Sequence, residues 1–157
     1  VGTKLYLRKL PGGMLVPDND EGVEWLQGIK AGDVISAEVA KPRNYKFLRK
    51  CHALTRLAFD HFTEHLGGVE YKGMKAEPSY TRFRKDMTIL AGFYSATYDI
   101  NGNVKLEAMS WSFANCSEEE MQKIFNSLIN VALKKIFKEQ ITEEHLRQLV
   151  DQIMSFA

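Results

Sequence analysis

Residues 43–66, RNYKFLRKCHALTRLAFDHFTEHL, lie between Pro42 and the pair Gly67-Gly68. Pro42 cannot extend a strand ladder, and glycine commonly ends a helix, so the segment is punctuated at both ends. Within it Phe47, Cys51, Leu54, Ala58 and Phe62 recur at helical spacing. The pattern predicts one long helix over about 44–66, with this stripe turned toward a core.

The opposite side of the same helix is basic. Lys46, Arg49, Lys50 and Arg56 fall mostly across from the stripe, with Ala53 among them, and Arg43 precedes the first turn. Residues 41–56 hold six basic side chains and no acidic one, and the first carboxylate is Asp60. A helix N-terminus already carries partial positive charge, and each exposed cation there costs roughly 0.3–1 kcal/mol. The arrangement becomes favourable when an anion binds, because free backbone N–H groups flanked by Lys and Arg suit a phosphate.

Charge along the chain supports that reading. The 157 residues have a net charge of +1, yet residues 41–85 hold eleven basic and four acidic groups. A local excess of this kind points to a polyanionic partner more than the overall charge does. A second helix, expected over about 78–92, adds Arg82, Arg84 and Lys85, and the loop ahead of it adds Lys72 and Lys75. Tyr45, Tyr71, Tyr80 and Phe83 interleave with these cations; Tyr45 and Tyr80 lie beside them and are the ones expected to stack on bases. Cations that follow a backbone, with rings between them, suit single-stranded nucleic acid.

The remaining segments predict an α+β fold with about four strands, in a length that suits one domain over 1–157. Residues 3–9 and 33–40 read as strands, and 20–27 as a short helix. Residues 93–113 read as a hairpin around Asn101-Gly102-Asn103, with Ile100 opposite Val104 and Tyr98 opposite Leu106. Ser117-Glu118-Glu119-Glu120 is a capping box that opens a helix over 118–137, and Thr142 caps a last helix ending near 155. Apolar residues of these two C-terminal helices serve either the core or a symmetric dimer interface.

Other chemistry finds less support. His61, Glu64 and His65 match the H-x-x-E-H zinc pattern, but the pattern fixes only three positions and no later helix offers a convincing third ligand, although Glu70 or Asp60 could serve, so no metal is assigned. Asp60, Glu64 and Asp86 could be brought together for a metal-dependent nuclease, although their spacing does not require it. The chain has no phosphate-binding glycine loop, and no cofactor is expected. Cys51 and Cys116 lack metal-type spacing and read as small buried residues of a reducing compartment. No apolar run approaches the roughly 18 residues of a membrane span, and the first residues lack a signal-peptide pattern.

Two stretches, RNYKFLRKCHALTRLAFDHF and RFRKDMTILAGFY, carry a resemblance, together with KLYLRK and MSWSFANCSEEEMQKIF. They resemble an uncharacterised family of phage and prophage proteins known only as a domain of unknown function. The order of strand, Arg-Asn turn, long helix, second helix, hairpin and acidic-capped helix is more distantly similar to the lambda Orf (NinB) recombination mediators. That similarity implies a homodimer in the bacterial cytoplasm that binds single-stranded DNA and helps load a recombinase past host single-strand-binding protein. By motif, Arg43, Asn44 and the helix residues after them carry over. A non-catalytic DNA-binding accessory protein is therefore the expectation. The alternatives are a protein-interaction factor that modulates a host protein in defence or replication, and the metal-dependent nuclease above.

Overall fold

The chain is α+β, with five α-helices and three antiparallel strand pairs among the residues that the computed structural model describes, 2–40, 44–111 and 116–155. It groups into two compact units, Val1–Ala40 and Lys41–Ala157.

In the first unit β1 (Leu7–Lys9) pairs with β2 (Leu15–Pro17), Arg8 standing opposite Val16. Helix α1 (Asp20–Gln27) follows, on the predicted residues. Its N-cap Asn19 accepts a hydrogen bond from the Gly22 amide at 2.9 Å, and Asp20 and Glu21 place negative charge in the first turn. Position 22 is tight: an added Cβ would lie 3.0 Å from Pro17 Cβ, so the proline would have to give by a few tenths of an ångström. The strand expected over 33–40 does not form. Its β-branched residues stay in water, Val34 at 96% and Val39 at 78% exposure. Strand preference is a preference for a pleated, half-buried surface, and no neighbouring strand supplies one here.

The second unit is built on α2 (Tyr45–Leu66). After it come β3 (Val69–Tyr71), β4 (Met74–Ala76), α3 (Tyr80–Leu90), β5 (Tyr94–Tyr98), β6 (Val104–Ala108), α4 (Glu118–Val131) and α5 (Glu143–Ser155). Helix α2 packs against α3, α4, α5 and the single π-helical turn, Ala132–Ile136, that continues α4. Leu48, Cys51, Leu54, Thr55 and Ala58 of α2 meet a core that includes Phe83, Met87, Phe125, Leu128, Ile129, Leu146 and Val150. Each large apolar side chain buried in this way stabilises the fold by about 1.5–3 kcal/mol. Thr55 is accommodated because its hydroxyl donates to the Cys51 carbonyl at 2.9 Å.

The buried surface of α2 is wider than the predicted stripe. Leu48 and Ala53 are buried, whereas Phe47 and Phe62 are only half-buried. A helix covered by several neighbours buries more than one narrow seam, so a single-stripe reading underestimates its core face.

Capping residues set the other helix ends. Ser79 accepts from the Arg82 amide at 3.3 Å, so α3 begins at Tyr80 and Pro78 stays outside it. The Ser117 hydroxyl accepts from Glu120 N at 3.2 Å while Ser117 N donates to Glu120 Oε2 at 2.7 Å, the predicted capping box. Thr142 Oγ1 accepts from His145 N at 3.1 Å at the start of the last helix.

The unexpected strands β2, β3 and β4 bring the strand count to six among the described residues, and two hairpins correct the sequence reading. Residues 69–76 were expected as loop but form β3–β4, with Lys72 (φ 49°) and Gly73 (φ 77°) at the tip. In β5–β6 Tyr98 stands opposite Val104 and Ala96 opposite Leu106, two residues away from the expected register. The cause is Asp99, whose Oδ1 accepts from the amides of Asn101 (2.8 Å) and Asn103 (2.9 Å) and closes a longer turn. The shift is an even number, so the apolar residues keep to one face.

Candidate nucleic-acid interface

The start of α2 is electrostatically open. Asn44 has a left-handed backbone (φ 56°), and its side chain makes no capping bond to its own helix. Instead Asn44 Nδ2 donates to the Cys116 carbonyl at 3.2 Å, tying α2 to the segment before α4. The first turn carries no acidic residue. Tyr45 is half-buried and Lys46 exposed, and Arg43 lies outside the described residues.

The cations of α2 do not form one ridge. Lys50 and Arg56 are about 120° apart around the helix. Lys50 Nζ sits 4.3 Å from the centroid of Phe125 on α4, a ring that Arg147 of α5 also approaches at 5.7 Å. Arg56 turns to α3, its guanidinium 4.8 Å from the Tyr80 centroid and 5.6 Å from that of Phe59. Arg49 lies about one turn before His52 and two before Arg56, on the same face of α2.

That side carries an alternation of guanidinium groups and rings. Beyond Arg56 and Tyr80, the Tyr80 hydroxyl lies 2.9 Å from His52 Nδ1. The His52 ring meets Trp111 edge-on at 5.0 Å, and Arg84 lies 5.2 Å from the Trp111 centroid. The row is anchored beneath. Trp111 is buried; its indole N–H donates to Thr88 Oγ1 at 2.9 Å, and that hydroxyl donates to the Arg84 carbonyl at 2.7 Å. Phe83, packed between Phe59 and Phe62, fixes α3 against α2.

The acidic content of this surface is small. Arg56 meets Asp60 at 3.9 Å with both side chains well exposed, a pair worth about 0.3–0.5 kcal/mol. Among the described residues, Lys46, Arg49, Arg82 and Lys85 have no ion-pair partner.

The structure thus brings Arg56, Tyr80 and Arg84 together, with Arg49 nearby, and places Lys50 on another flank. It adds His52 and Trp111, which sequence reasoning did not select. A histidine was not counted among the cations, and Trp111 reaches the site through partners remote in sequence, His52, Thr88 and Arg84. His52 could have been noticed one turn before Arg56 on the same face.

His61 and His65 stack ring on ring at 4.1 Å, and His65 Nδ1 is 2.8 Å from the His61 carbonyl. His61 also packs 4.6 Å from Phe137. Desolvation first, and the like charge of His65 second, hold the His61 imidazole below its ordinary range, with Glu64 opposing. Among the described residues no three His, Cys, Asp or Glu side chains gather as a metal set. Burial pushes the Cys51 thiol far up, which makes it unreactive.

Residues 3–75 and 69–156 match the family model described as "Protein of unknown function (DUF1367)". Together the two matches span nearly the whole chain, which belongs to this family. No curated protein and no solved structure matches it. No helix among the described residues is long and apolar enough to cross a membrane.

Proposed function

We propose that this DUF1367 protein binds single-stranded DNA on the α2–α3 surface, without cleaving it, as an accessory factor in phage recombination. The observation that carries the reading is the row Arg56–Tyr80–His52–Trp111–Arg84, with Arg49 on the same face of α2; Arg82 and Lys85, about 160° and 140° from Tyr80 around α3, lie off the row. Arg56, exposed and resting on the Tyr80 ring, gains about 0.5–1 kcal/mol from that contact. The stacking pre-orders it, so less side-chain entropy is lost when it meets a phosphate. Lys46 beside the open start of α2 extends the same chemistry.

Tyr45 and Tyr80 are half-buried. Phosphate contact by the cations therefore bears more of the proposed affinity than stacking on these two rings. The phage setting, and the task of assisting a recombinase against host single-strand-binding protein, rest on the resemblance in the sequence.

The test is a panel of fluorescent oligonucleotides, single- and double-stranded, DNA and RNA, titrated at low salt. The reading expects the single-stranded DNA to bind most tightly. Absence of binding by every single-stranded probe overturns it, and retention of an acidic host protein after nuclease treatment replaces it with a protein partner.

A further inference from the structure

The β5–β6 ribbon presents an apolar face to water. Tyr98 is 80% exposed, Val104 70%, Tyr94 44% and Leu106 41%, with Ile100 fully exposed at the turn. The ribbon meets α3 through β6; a two-stranded ribbon is marginal in water on its own, and no other described strand pairs with it.

Its hydrogen-bond pattern defines what could be added. Asp99 N donates to Asn103 O at one end and Met109 N to Phe93 O at the other, both at 3.0 Å. Antiparallel pairs alternate, so Lys105 and Glu107 direct their backbone groups toward β5. Val104, Leu106 and Ala108 direct theirs outward, along the far edge of β6. That edge has a self-complementary sequence, Val-Lys-Leu-Glu-Ala. Laid antiparallel on a second copy and centred on Leu106, it forms a hydrogen-bonded pair of Leu106 with its mate. Val104 then faces Ala108, continuing the apolar face. Lys105 of each copy faces Glu107 of the other, in the non-hydrogen-bonded positions where side chains approach most closely. Centring on Val104 instead would set Lys105 against Asn103 and leave the charges unmatched.

We infer that two copies of this chain associate through their β6 edges, forming a continuous four-stranded sheet about a two-fold axis at Leu106. An isologous contact of this kind closes after two copies and leaves no further edge of the same sequence to propagate. The inference is independent of whether the α2–α3 surface binds DNA, since it uses none of those residues.

The test is the solution mass of the full chain by light scattering, on charge-exchanged variants. Wild type is expected at twice the 17.9 kDa chain mass. Lys105→Glu alone and Glu107→Lys alone each set like charges across the axis and should shift the protein toward monomer. The double exchange restores opposite charges and should restore the dimer. Both positions are exposed, and circular dichroism checks that each variant is folded. In addition, Leu106→Cys in a Cys116→Ser background should cross-link to a covalent dimer under mild oxidation. A monomeric wild type, a dimer indifferent to the single exchanges, or single-exchange monomers that the double exchange does not rescue would each overturn the proposal.

Discussion

The Tyr80 hydroxyl lies 2.9 Å from His52 Nδ1, so the first residue of α3 is held to the middle of α2 by a polar contact as well as by ring packing. The contact fixes the Tyr80 ring beneath Arg56. Tyr80→Phe keeps the ring and loses the hydroxyl. It is expected to cost about 0.5–1.5 kcal/mol, the net worth of one hydrogen bond, as a lower urea midpoint with an unchanged slope. Tyr80→Ala removes the support of Arg56 as well, and should weaken oligonucleotide binding where Tyr80→Phe leaves it nearly intact.

Thr88 accepts the Trp111 indole N–H inside the core. Thr88→Val keeps the shape and orphans a buried donor, with an expected cost of about 1–3 kcal/mol. Urea unfolding measures it. A change within error would mean that Trp111 finds another acceptor and that the row of rings is not anchored from below.

The Asp99 carboxyl is held below its usual range, first by the Asn103 amide and also by that of Asn101. A depressed carboxylate pKa contributes stability that is fully present above its unfolded value and is lost as pH falls through its folded value. The protection of the Asn101 and Asn103 amides from hydrogen exchange, taken relative to the intrinsic rate at each pH, should therefore fall on acidification over that window. Asp99→Ala should show low protection there at every pH.

His61 is displaced in the same direction, so its neutral form is the one the fold favours. Stability from this group is complete above the ordinary imidazole value and is lost as pH falls through the lowered one. The thermal midpoint of wild type should drop on acidification by more than that of His61→Gln. Equal drops would show that packing against Phe137 does not disfavour the charged ring.

Much of the helical frame was legible because local residues specify it. Pro42 and Gly67 bracket α2, Ser117 and Glu120 announce α4, and Thr142 announces α5. The failures were of two kinds. Some depended on partners remote in sequence: residues 33–40 have strand composition but no strand beside them, and Trp111 joins the site through Thr88. Others were turns of unfamiliar composition. Lys72-Gly73 takes positive φ at both positions, as a two-residue hairpin turn requires, but lysine is a poor marker for it beside asparagine or aspartate. Of the candidate site, the charge was visible and its division was not. Lys50 and Arg56 belong to one basic run, and only the packing of α3 and α4 on different sides of α2 sends one to Phe125 and the other to Tyr80.

The most direct test of DNA binding on α2–α3 is the slope of log affinity against log salt for a single-stranded oligonucleotide, measured for wild type and for Lys46→Glu with Arg49→Glu. Each neutralised phosphate contributes about 0.7 to that slope on a single strand. The account predicts a steep wild-type slope, and a double variant that binds at least about tenfold more weakly with a slope shallower by about 1.4. A wild-type affinity indifferent to salt, or a double variant with the wild-type slope, would contradict it.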